Sequence, residues 1–240
     1  MGQTLPPVAA RLTAARIAVV VPVLDEGPRL ADALAAAING ADRCIVVDGG
    51  SIDDTIDQAR RAGAEVIASA PGRSTQMKAG AEVADTDVLV FVHADTILPE
   101  GWAAAVGAAV GQGFEWGRFD VRLDSPLASL RLVAAMMNWR SRVTGICTGD
   151  QAMFATRGAW LRSGGFAPIP LMEDVELSAR LKRKSGRPAC IRLAVRVSAR
   201  RWQQRGVART IVQMWWLRLL YFFGASPARL HTMYYRRPVR

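Results

Sequence analysis

The sequence predicts an α/β fold in which helices flank a β-sheet whose first half is parallel, and three observations support this. Over the first ~95 residues, short β-branched apolar runs alternate with longer segments of helical periodicity. The first run, residues 17–21, is apolar throughout, as expected of a strand that is buried on both faces. Half of the 240 residues are apolar and 22% are charged, so the chain can bury a large core.

The predicted elements alternate regularly only in the first half of the chain. We predict strands there at residues 17–21, 44–47, 64–68 and 88–92, and helices at residues 30–38, 53–62 and 75–84. In the second half we predict strands at residues 119–123 and 189–197, helices at residues 127–140 and 172–184, and a short apolar segment at residues 151–155. Because no repeat or low-complexity linker interrupts the chain, we expect one domain at residues 1–205 and a basic, aromatic helical extension at residues 206–240. Parallel strands with right-handed crossovers bind ligands at their carboxyl ends.

The net charge of +10 is strongly positive. A field of this sign favours phosphate-bearing ligands, nucleic acid or an anionic membrane surface, without choosing among them. The three cysteines, Cys44, Cys147 and Cys190, are widely spaced and odd in number, which predicts neither a disulfide framework nor a metal-ligand pair. We expect buried structural thiols in a reducing compartment.

No segment has the pattern of a secretory signal or of a membrane span. Residues 1–16 contain alanine and proline but no lysine-rich start that leads into an apolar stretch. The apolar run that begins at Ile17 ends at Pro22 and Asp25, far short of the ~20 residues that cross a bilayer. We therefore expect a cytoplasmic protein.

The extension contains an apolar segment, residues 211–223, that is rich in aromatic side chains such as Trp215, Trp216 and Phe222. A helix that is apolar on several sides has to be covered. Packing against the domain or against a second copy of the chain is one explanation. The other is a peripheral position on the inner face of a membrane, which the basic tail at residues 229–240 favours.

A turn with an acidic residue, Asp48-Gly49-Gly50-Ser51, follows the second predicted strand and precedes a helix. Glycines allow a ligand to approach the backbone closely, and a helix amino end attracts phosphate or hydroxyl groups. Ser51 or Asp53 is placed to cap that helix. A plain tight turn explains the motif nearly as well.

The strand at residues 88–92 leads directly into His93 and Asp95, so an imidazole and a carboxylate leave the core at the ligand edge. Asp95 suits a hard divalent cation, which needs only one or two carboxylates when diphosphate oxygens supply other ligands. His93 has three interpretations: a metal ligand, a donor to a phosphate, or a structural hydrogen bond.

Two acids, Glu173 and Asp174, begin a predicted helix. Asp174 shares a face with Leu177 and Leu181, so it is expected to face inward. Acids favour helix amino ends for dipole reasons alone. A carboxylate that faces inward loses hydration free energy, a cost that the interaction with the helix dipole does not require. This cost favours a functional role for Asp174 as a general base.

Basic residues near these motifs are candidates to hold a diphosphate, and surface solvation is their alternative explanation. They are Arg73, Lys78 and the group Arg200-Arg201-Trp202.

Together these segments resemble the inverting family 2 glycosyltransferases of the GT-A fold, in particular a bacterial subgroup of short, soluble members. Six motifs in the same order make the resemblance specific and extend through most of the chain. They are VVPVLDE at residues 20–26, VDGGSIDDT at 47–55, GRSTQM at 72–77, HADT at 93–96, TGDQ at 148–151 and ED at 173–174.

The resemblance implies a nucleotide-sugar donor, a hydroxyl acceptor, a divalent cation (Mn²⁺ or Mg²⁺) bound by Asp95, and Asp174 as the catalytic base. The implied nucleotide-binding residues are Pro22, Val23, Glu26, Asp48, Ser51, Arg73, Gln76 and His93. The implied residues beside the donor sugar or the acceptor are Gly149, Asp150, Gln151, Glu173, Arg201 and Trp202. A lipid-linked or membrane-proximal acceptor and a homodimer remain open.

The sequence departs from the family pattern at two positions. His93 stands where the first acid of an Asp-x-Asp element is usual, so the role of that acid does not carry over. Ser198 stands where processive members have the glutamine of Gln-x-x-Arg-Trp, although Arg201 and Trp202 match. A processive polysaccharide synthase is therefore not expected.

Two other functions compete with glycosyl transfer. A sugar nucleotidyltransferase needs a glycine-rich loop with a basic residue after the first strand, but residues 22–26 are Pro-Val-Leu-Asp-Glu. A non-catalytic nucleotide-binding or membrane-docking module would have no need of Asp48, Asp95 and Asp174. Nucleic-acid binding is not expected, because the aromatic residues lie in an apolar helix and not among basic residues.

Overall fold

The computed structural model describes residues 15–235, apart from the side chains of Pro28, Arg29, Arg201 and Arg205. The predictions for residues 1–14 and for the last five residues of the basic tail therefore lie outside the described part of the chain. Among the described residues, all three cysteines are free: Cys44 and Cys147 are buried, and Cys190 is half-buried.

The strands form one mixed, eight-stranded sheet with the order β3-β2-β1-β4-β7-β6-β8-β5. β1 pairs in parallel with β2 and β4, and β2 pairs in parallel with β3. β7 is antiparallel to both β4 and β6, so the sheet becomes mixed in its second half. The strands are β1 Ile17–Val23, β2 Arg43–Asp48, β3 Glu65–Ala68, β4 Val88–Phe91, β5 Thr96–Ile97, β6 Trp116–Asp124, β7 Phe154–Thr156 and β8 Ala189–Ser198.

The helices connect these strands and cover both faces of the sheet. They are α1 Gly27–Ile38, α2 Thr55–Arg61, α3 Arg73–Val83, α4 Trp102–Gly111, α5 Ala128–Thr144, a 3₁₀ helix at Gly149–Gln151, α6 Arg157–Ser163, α7 Glu173–Ser185, α8 Arg200–Arg205, α9 Val207–Phe222 and α10 Pro227–Tyr235. The predicted α/β architecture is confirmed.

Three local predictions differ from the structure. The helix expected at residues 53–62 begins at Thr55, and neither Ser51 nor Asp53 caps it at the N-cap position, which Asp54 occupies. The short apolar segment at residues 151–155 enters a strand only at Phe154, because Gln151 is the last residue of the 3₁₀ helix. Sequence periodicity did not predict α4 or α6.

The core lies on both faces of the sheet because β1 is apolar at every position. Val19 and Val21 belong to an apolar cluster with residues of α1 and α5 on one face, and Val20 belongs to a second cluster with residues of α3 on the other. α3 lies so close to the sheet that a Cβ on Gly80 would be 2.4 Å from a methyl group of Val20. This packing places the loops after β1, β2 and β4 at one edge.

The extension packs against the start of α7 through a small apolar cluster. Met172, Leu217 of α9, and Leu230 and Tyr234 of α10 form this cluster. Much of the aromatic face of α9 nevertheless stays exposed, including Trp215 and four neighbouring apolar side chains: Val212, Trp216, Leu219 and Phe222. Within residues 15–235, no helix is long and apolar enough to cross a membrane.

Candidate active site

Asp48 closes the loop that follows β2. Its Oδ2 accepts a hydrogen bond from the Gly50 amide at 2.9 Å, and its Oδ1 accepts one from the Ser51 hydroxyl at 2.5 Å. Gly50 has a φ of 100°, in the region that favours glycine. The tight-turn explanation accounts for these hydrogen bonds, and the same turn lies at the carboxyl edge of the sheet, where a nucleotide is expected.

Side-chain hydrogen bonds join the loop after β2 to the loop after β1. The Ser51 hydroxyl oxygen accepts from the Asp25 amide at 3.0 Å, and Asp25 Oδ1 accepts from the Ile52 amide at 2.9 Å. Further along, the Thr55 hydroxyl oxygen accepts from the Glu26 amide at 2.9 Å. The residues of both loops that the sequence assigns to the nucleotide therefore belong to one connected unit.

Gln76 of α3 lies beneath these two loops. Its Nε2 donates to the carbonyl oxygens of Val23 and Val47, at 2.7 Å and 2.8 Å. Both amide protons are thus used at the ends of β1 and β2, and Gln76 is buried. Val23 is also buried, whereas Pro22 beside it is half-buried. Gln76 therefore holds the ends of β1 and β2 in place, and a direct contact between Gln76 and a nucleotide remains a prediction.

His93 follows β4 and approaches the 3₁₀ helix. Its Nδ1 lies 3.8 Å from Oδ1 of Asp150. The imidazole packs so closely on Gly149 that a Cβ there would lie 2.4 Å from His93 Nε2. His93 therefore fills the space between two segments of the candidate site, a position that fits a structural contact as well as a contact with a ligand.

Asp95 is half-buried two residues further along. Its backbone oxygen accepts from the Ser198 amide at 3.3 Å, but its carboxylate makes no hydrogen bond or ion pair with the described residues. No group of three or more His, Cys, Asp or Glu side chains within residues 15–235 is arranged to hold a metal ion. A cation at Asp95 would thus take most of its ligands from a bound substrate, as hard cations do at phosphate sites.

Asp174 at the start of α7 is oriented by two backbone amides. Its Oδ2 accepts from Gly149 at 2.6 Å, and its Oδ1 accepts from Val175 at 2.7 Å. These bonds leave lone pairs on both oxygens, so the carboxylate can still accept a proton. The arrangement holds a potential base in one orientation.

Glu173 is buried beside Asp174 and pairs with Arg73. The Oε1 of Glu173 lies 3.4 Å from Nη1 of Arg73, whose side chain is 40% exposed. Burial raises the pKa of Glu173 to about 6, although Arg73 acts in the opposite direction, and the carboxylate of Asp174 adds to the rise. This carboxyl group is therefore harder to ionise than an exposed glutamate.

Five of the predicted site residues line one cavity of about 570 Å³, called here the catalytic cavity. Predicted site residues form one part of its wall, and α9 and α10 form another. The predicted residues are Arg73, His93, Asp150, Glu173 and Asp174, and the helices add Met214, Leu217, Arg218, Tyr234 and Tyr235.

Gln151 supports the 3₁₀ helix from within. It is fully buried, its Oε1 accepts from the Thr148 amide at 3.3 Å, and its Nε2 donates to Asn138 Oδ1 at 3.4 Å. Its neighbours Gly149 and Asp150 are therefore held in place by an internal amide, and a contact between Gln151 and a sugar remains a prediction.

Two other predicted residues, Lys78 and Trp202, do not line the catalytic cavity. Lys78 is exposed and lies 3.9 Å from Glu82, which fits a solvated surface residue. Trp202 lines an adjacent groove between α5 and α9. The side chain of Arg201 lies outside the described part of the chain.

Residues 18–155, more than half of the chain, match glycosyl transferase family 2. This chain belongs to that family. The matched region begins in β1 and ends in β7, so it contains the loops after β1, β2 and β4 and the 3₁₀ helix.

Curated relatives of this family 2 protein include uncharacterized glycosyltransferases of Mycobacterium bovis and Mycobacterium tuberculosis. Both are 33% identical over 135 residues, which cover 52% of this chain and 59% of theirs. The chain thus matches somewhat more than half the length of these relatives.

The fold is also that of solved GT-A glycosyltransferases. Glucosyl-3-phosphoglycerate synthase from Mycobacterium tuberculosis, in complex with Mn²⁺, uridine diphosphate and glucosyl-3-phosphoglycerate, superposes with a TM-score of 0.55 at 23% identity, over 75% of this chain and 70% of that one. A mannosyltransferase from Pyrobaculum calidifontis, in complex with GDP-Man and Mn²⁺, gives a TM-score of 0.60 at 19% identity, over 77% and 57% of the two chains. At these identities the likeness shows the fold.

Sequence reasoning missed the part of this family 2 protein's cavity that α9 and α10 provide, and the adjacent groove that α5 lines. Arg218 was visible only as a basic residue within an apolar segment, and Tyr234 only as part of the extension. No local pattern marks Arg140 of α5, which lines the groove next to the cavity.

Proposed function

We propose that this protein transfers a sugar from a nucleoside diphosphate sugar to a hydroxyl acceptor, with inversion at the anomeric carbon. The observation that carries the proposal is the catalytic cavity of a family 2 chain, in which the oriented carboxylate of Asp174 lies with His93, Asp150 and Arg73.

The nucleotide is proposed to bind at the joined loops after β1 and β2. Asp48 and Glu26 are the acids proposed to contact it, and Ser51 connects Asp48 to the loop after β1 through the Asp25 amide. Arg73 is exposed enough to reach a ligand while Glu173 holds its position. An arginine fork matches phosphate geometry.

Asp95 is proposed to hold a divalent cation, and its uncommitted carboxylate fits this role. A bound Mn²⁺ or Mg²⁺ stabilises negative charge on a departing diphosphate. Both structural neighbours are complexes with Mn²⁺ and a nucleotide or nucleotide sugar, which supports the same cofactor and donor class here.

Asp174 is proposed to remove the proton of the acceptor hydroxyl as the oxygen attacks the anomeric carbon. The amides of Gly149 and Val175 hold the carboxylate in place before substrate arrives. A positioned base of this kind needs no reorganisation during the reaction. One carboxylate that acts in a single displacement produces inversion.

The acceptor is proposed to lie at a membrane surface. Trp215, Trp216, Phe222 and Phe223 of the extension are all more than half exposed, and the net charge is +10. Apolar side chains beside a positive field fit an anionic lipid interface.

The deciding experiment is a panel of nucleotide sugars with Mn²⁺ or Mg²⁺. We expect one donor to raise the melting temperature and to be slowly hydrolysed to the nucleoside diphosphate, with EDTA abolishing hydrolysis. Stabilisation without any diphosphate release would favour a binding module. Pyrophosphate release from a nucleoside triphosphate and a sugar phosphate would favour a nucleotidyltransferase.

A further inference from the structure

Two guanidinium groups, from Arg140 of α5 and Arg218 of α9, lie beside the catalytic cavity with nitrogen atoms that have no partner among the described residues. The Nε and Nη2 atoms of Arg140 and the Nε atom of Arg218 are buried and make no hydrogen bond to the described residues. Neither side chain forms an ion pair with a carboxylate in residues 15–235. Buried polar atoms of this kind normally have hydrogen-bond partners, so the lack of partners here requires an explanation.

Arg118 shows how the same fold compensates a buried guanidinium. It is fully buried, and it donates to the Asp120 carboxylate, to the Ser141 hydroxyl at 3.1 Å and to the Asn138 carbonyl at 3.2 Å. Arg140 lies on the same helix as Ser141 and Asn138 but has no equivalent set of acceptors. Among the described guanidinium groups of residues 15–235, those of Arg140 and Arg218 are the ones with buried nitrogen atoms that lack a hydrogen-bond partner.

The charges of this pair are not balanced locally. Burial lowers the pKa of Arg140 to about 10, the positive charge of Arg218 adds to this effect, and Asp174 opposes it. Burial also lowers the pKa of Arg218, against the opposing effect of Asp174 and Asp150. Residues 1–14 and 236–240 contain no Asp or Glu, so their side chains cannot supply the missing negative charge. A buried, uncompensated charge is costly to the fold.

The pair lies where the catalytic cavity meets the groove between α5 and α9. This groove, of about 740 Å³, is lined mainly by apolar side chains such as Met137, Trp139, Trp202 and Trp215. Asp150, Met214 and Arg218 line both the groove and the catalytic cavity. An anion held by the arginine pair would thus be next to the proposed base, with apolar surface leading away from it.

We propose that Arg140 and Arg218 bind the phosphate group of an amphiphilic acceptor, and that the hydrocarbon chain of this acceptor lies in the groove between α5 and α9. This inference rests on the proposed function, because it names the class of molecule that receives the sugar. Two guanidinium groups are suited to a tetrahedral phosphate, and tryptophan and methionine side chains are suited to a hydrocarbon chain.

The donor diphosphate is a less suitable occupant of this pair. Three residues expected to bind the nucleotide, Pro22, Glu26 and Asp48, line neither the groove nor the catalytic cavity. Two others, Arg73 and His93, line the catalytic cavity but not the groove. The groove is also apolar along most of its wall, which suits a hydrocarbon and not a nucleoside.

The test measures binding of octyl phosphate, 1-octanol and inorganic phosphate, each below its aggregation concentration, by calorimetry. We expect octyl phosphate to bind at least tenfold more tightly than either fragment, and its affinity to fall with rising salt. Arg140→Gln and Arg218→Gln should each reduce octyl phosphate affinity about tenfold and leave 1-octanol binding unchanged. Arg131→Gln on α5 and Arg209→Gln on α9 are the matched controls, because both side chains are exposed.

Measurements of melting temperature and of nucleotide binding distinguish a failure of this proposal from a misfolded variant and from a failure of the proposed function. Because the Gln variants remove an uncompensated charge, their melting temperatures should equal or exceed that of the wild type. Mn²⁺-dependent nucleotide binding and donor hydrolysis by the wild type and by the Arg131→Gln and Arg209→Gln controls report on the proposed function separately. Equal binding of octyl phosphate and 1-octanol by the wild type, or loss of nucleotide binding with octyl phosphate binding intact in both variants, would overturn the proposal.

Discussion

The backbone amide of Gly149 donates a hydrogen bond of 2.6 Å to Oδ2 of Asp174. This bond connects the 3₁₀ helix to the start of α7, two segments that the chain separates by 25 positions. The proposed base is thereby fixed by the backbone of the same segment that carries Asp150. The geometry of the site thus depends on the close approach that a glycine at position 149 allows.

Replacement of Gly149 by Ala should disturb this site. The new Cβ would lie 2.4 Å from His93 Nε2, so the imidazole has to move, and we expect at least a tenfold loss of activity and about 1–3 kcal/mol of stability. Gly107→Ala is the control, because no atom lies within 4 Å of a Cβ there. In the interior of α4 this change should stabilise the protein by about 0.5–1 kcal/mol. Urea unfolding and diphosphate release measure both effects, and wild-type activity of Gly149→Ala would contradict the packing described.

Asp174→Asn should remove the base but keep the shape of the side chain. We expect kcat to fall by about 10²–10⁴-fold with nucleotide affinity retained, because the amide cannot take the acceptor proton. Glu82→Gln, on the exposed side of α3, should leave kcat unchanged. Steady-state kinetics measure kcat, and a separate titration measures nucleotide affinity. A variant that loses nucleotide binding instead would show that Asp174 binds the donor.

Asp95→Asn should abolish activation by a divalent cation. The Asp95 carboxylate has no partner among the described residues, so its loss should not lower the melting temperature. A titration with Mn²⁺ should no longer strengthen nucleotide binding in this variant. Glu100→Gln, an exposed acid nearby, provides the comparison. Mn²⁺-dependent binding that survives in Asp95→Asn would exclude Asp95 as the metal ligand.

Glu173 should make stability depend on pH in a defined direction. Its pKa is raised from 4.5 to about 6, so the folded protein holds this proton more tightly than the unfolded chain. The stabilisation is complete below about pH 4.5 and is lost as the pH rises through about 6, with a size of about 2 kcal/mol at most. The free energy of unfolding in urea should be measured for the wild type and for Glu173→Gln between roughly pH 4 and pH 7. The wild type should lose stability relative to Glu173→Gln as the pH rises through this range. Parallel pH curves for the two proteins would show that Glu173 does not titrate there.

The exposed aromatic side chains at the end of α9 should promote binding to anionic vesicles. Phe222 and Phe223 are 82% and 75% exposed. Replacement of both by Ser should weaken sedimentation with phosphatidylglycerol vesicles at least tenfold. Leu161→Ser, an exposed apolar position on α6, should have no effect. If the double variant binds vesicles normally but changes from dimer to monomer, the aromatic surface is a protein interface.

The first half of the fold was predictable because parallel strands that are buried on both faces have continuous apolar sequences. The runs that contain Val19 and Val46 became β1 and β2 within two residues of the predicted bounds. α4 was missed because a segment of alanine, valine and glycine around Val106 has little periodic contrast between its faces. α6 is too short to show a helical period.

The candidate site was predictable where a residue's position in the chain decides its place in the fold. Asp48 and Asp95 follow strands, and the sheet brings them to one edge. The sequence does not distinguish an amide that contacts a ligand from one that holds the backbone, as Gln76 does. Arg140 and Arg218 come together only because α5 and α9, which are far apart in the sequence, pack side by side. No local sequence pattern predicts that contact.

One consequence follows from the wall that α9 contributes to both the groove and the catalytic cavity. The loops expected to recognise the donor come from the first hundred residues, whereas Met214 and Arg218 come from the last thirty. On the two proposals made above, nucleotide recognition and acceptor recognition would be encoded in separate parts of the chain. A chimaera that takes residues 206–235 from another member of the family should inherit a new acceptor while it keeps the original nucleotide sugar.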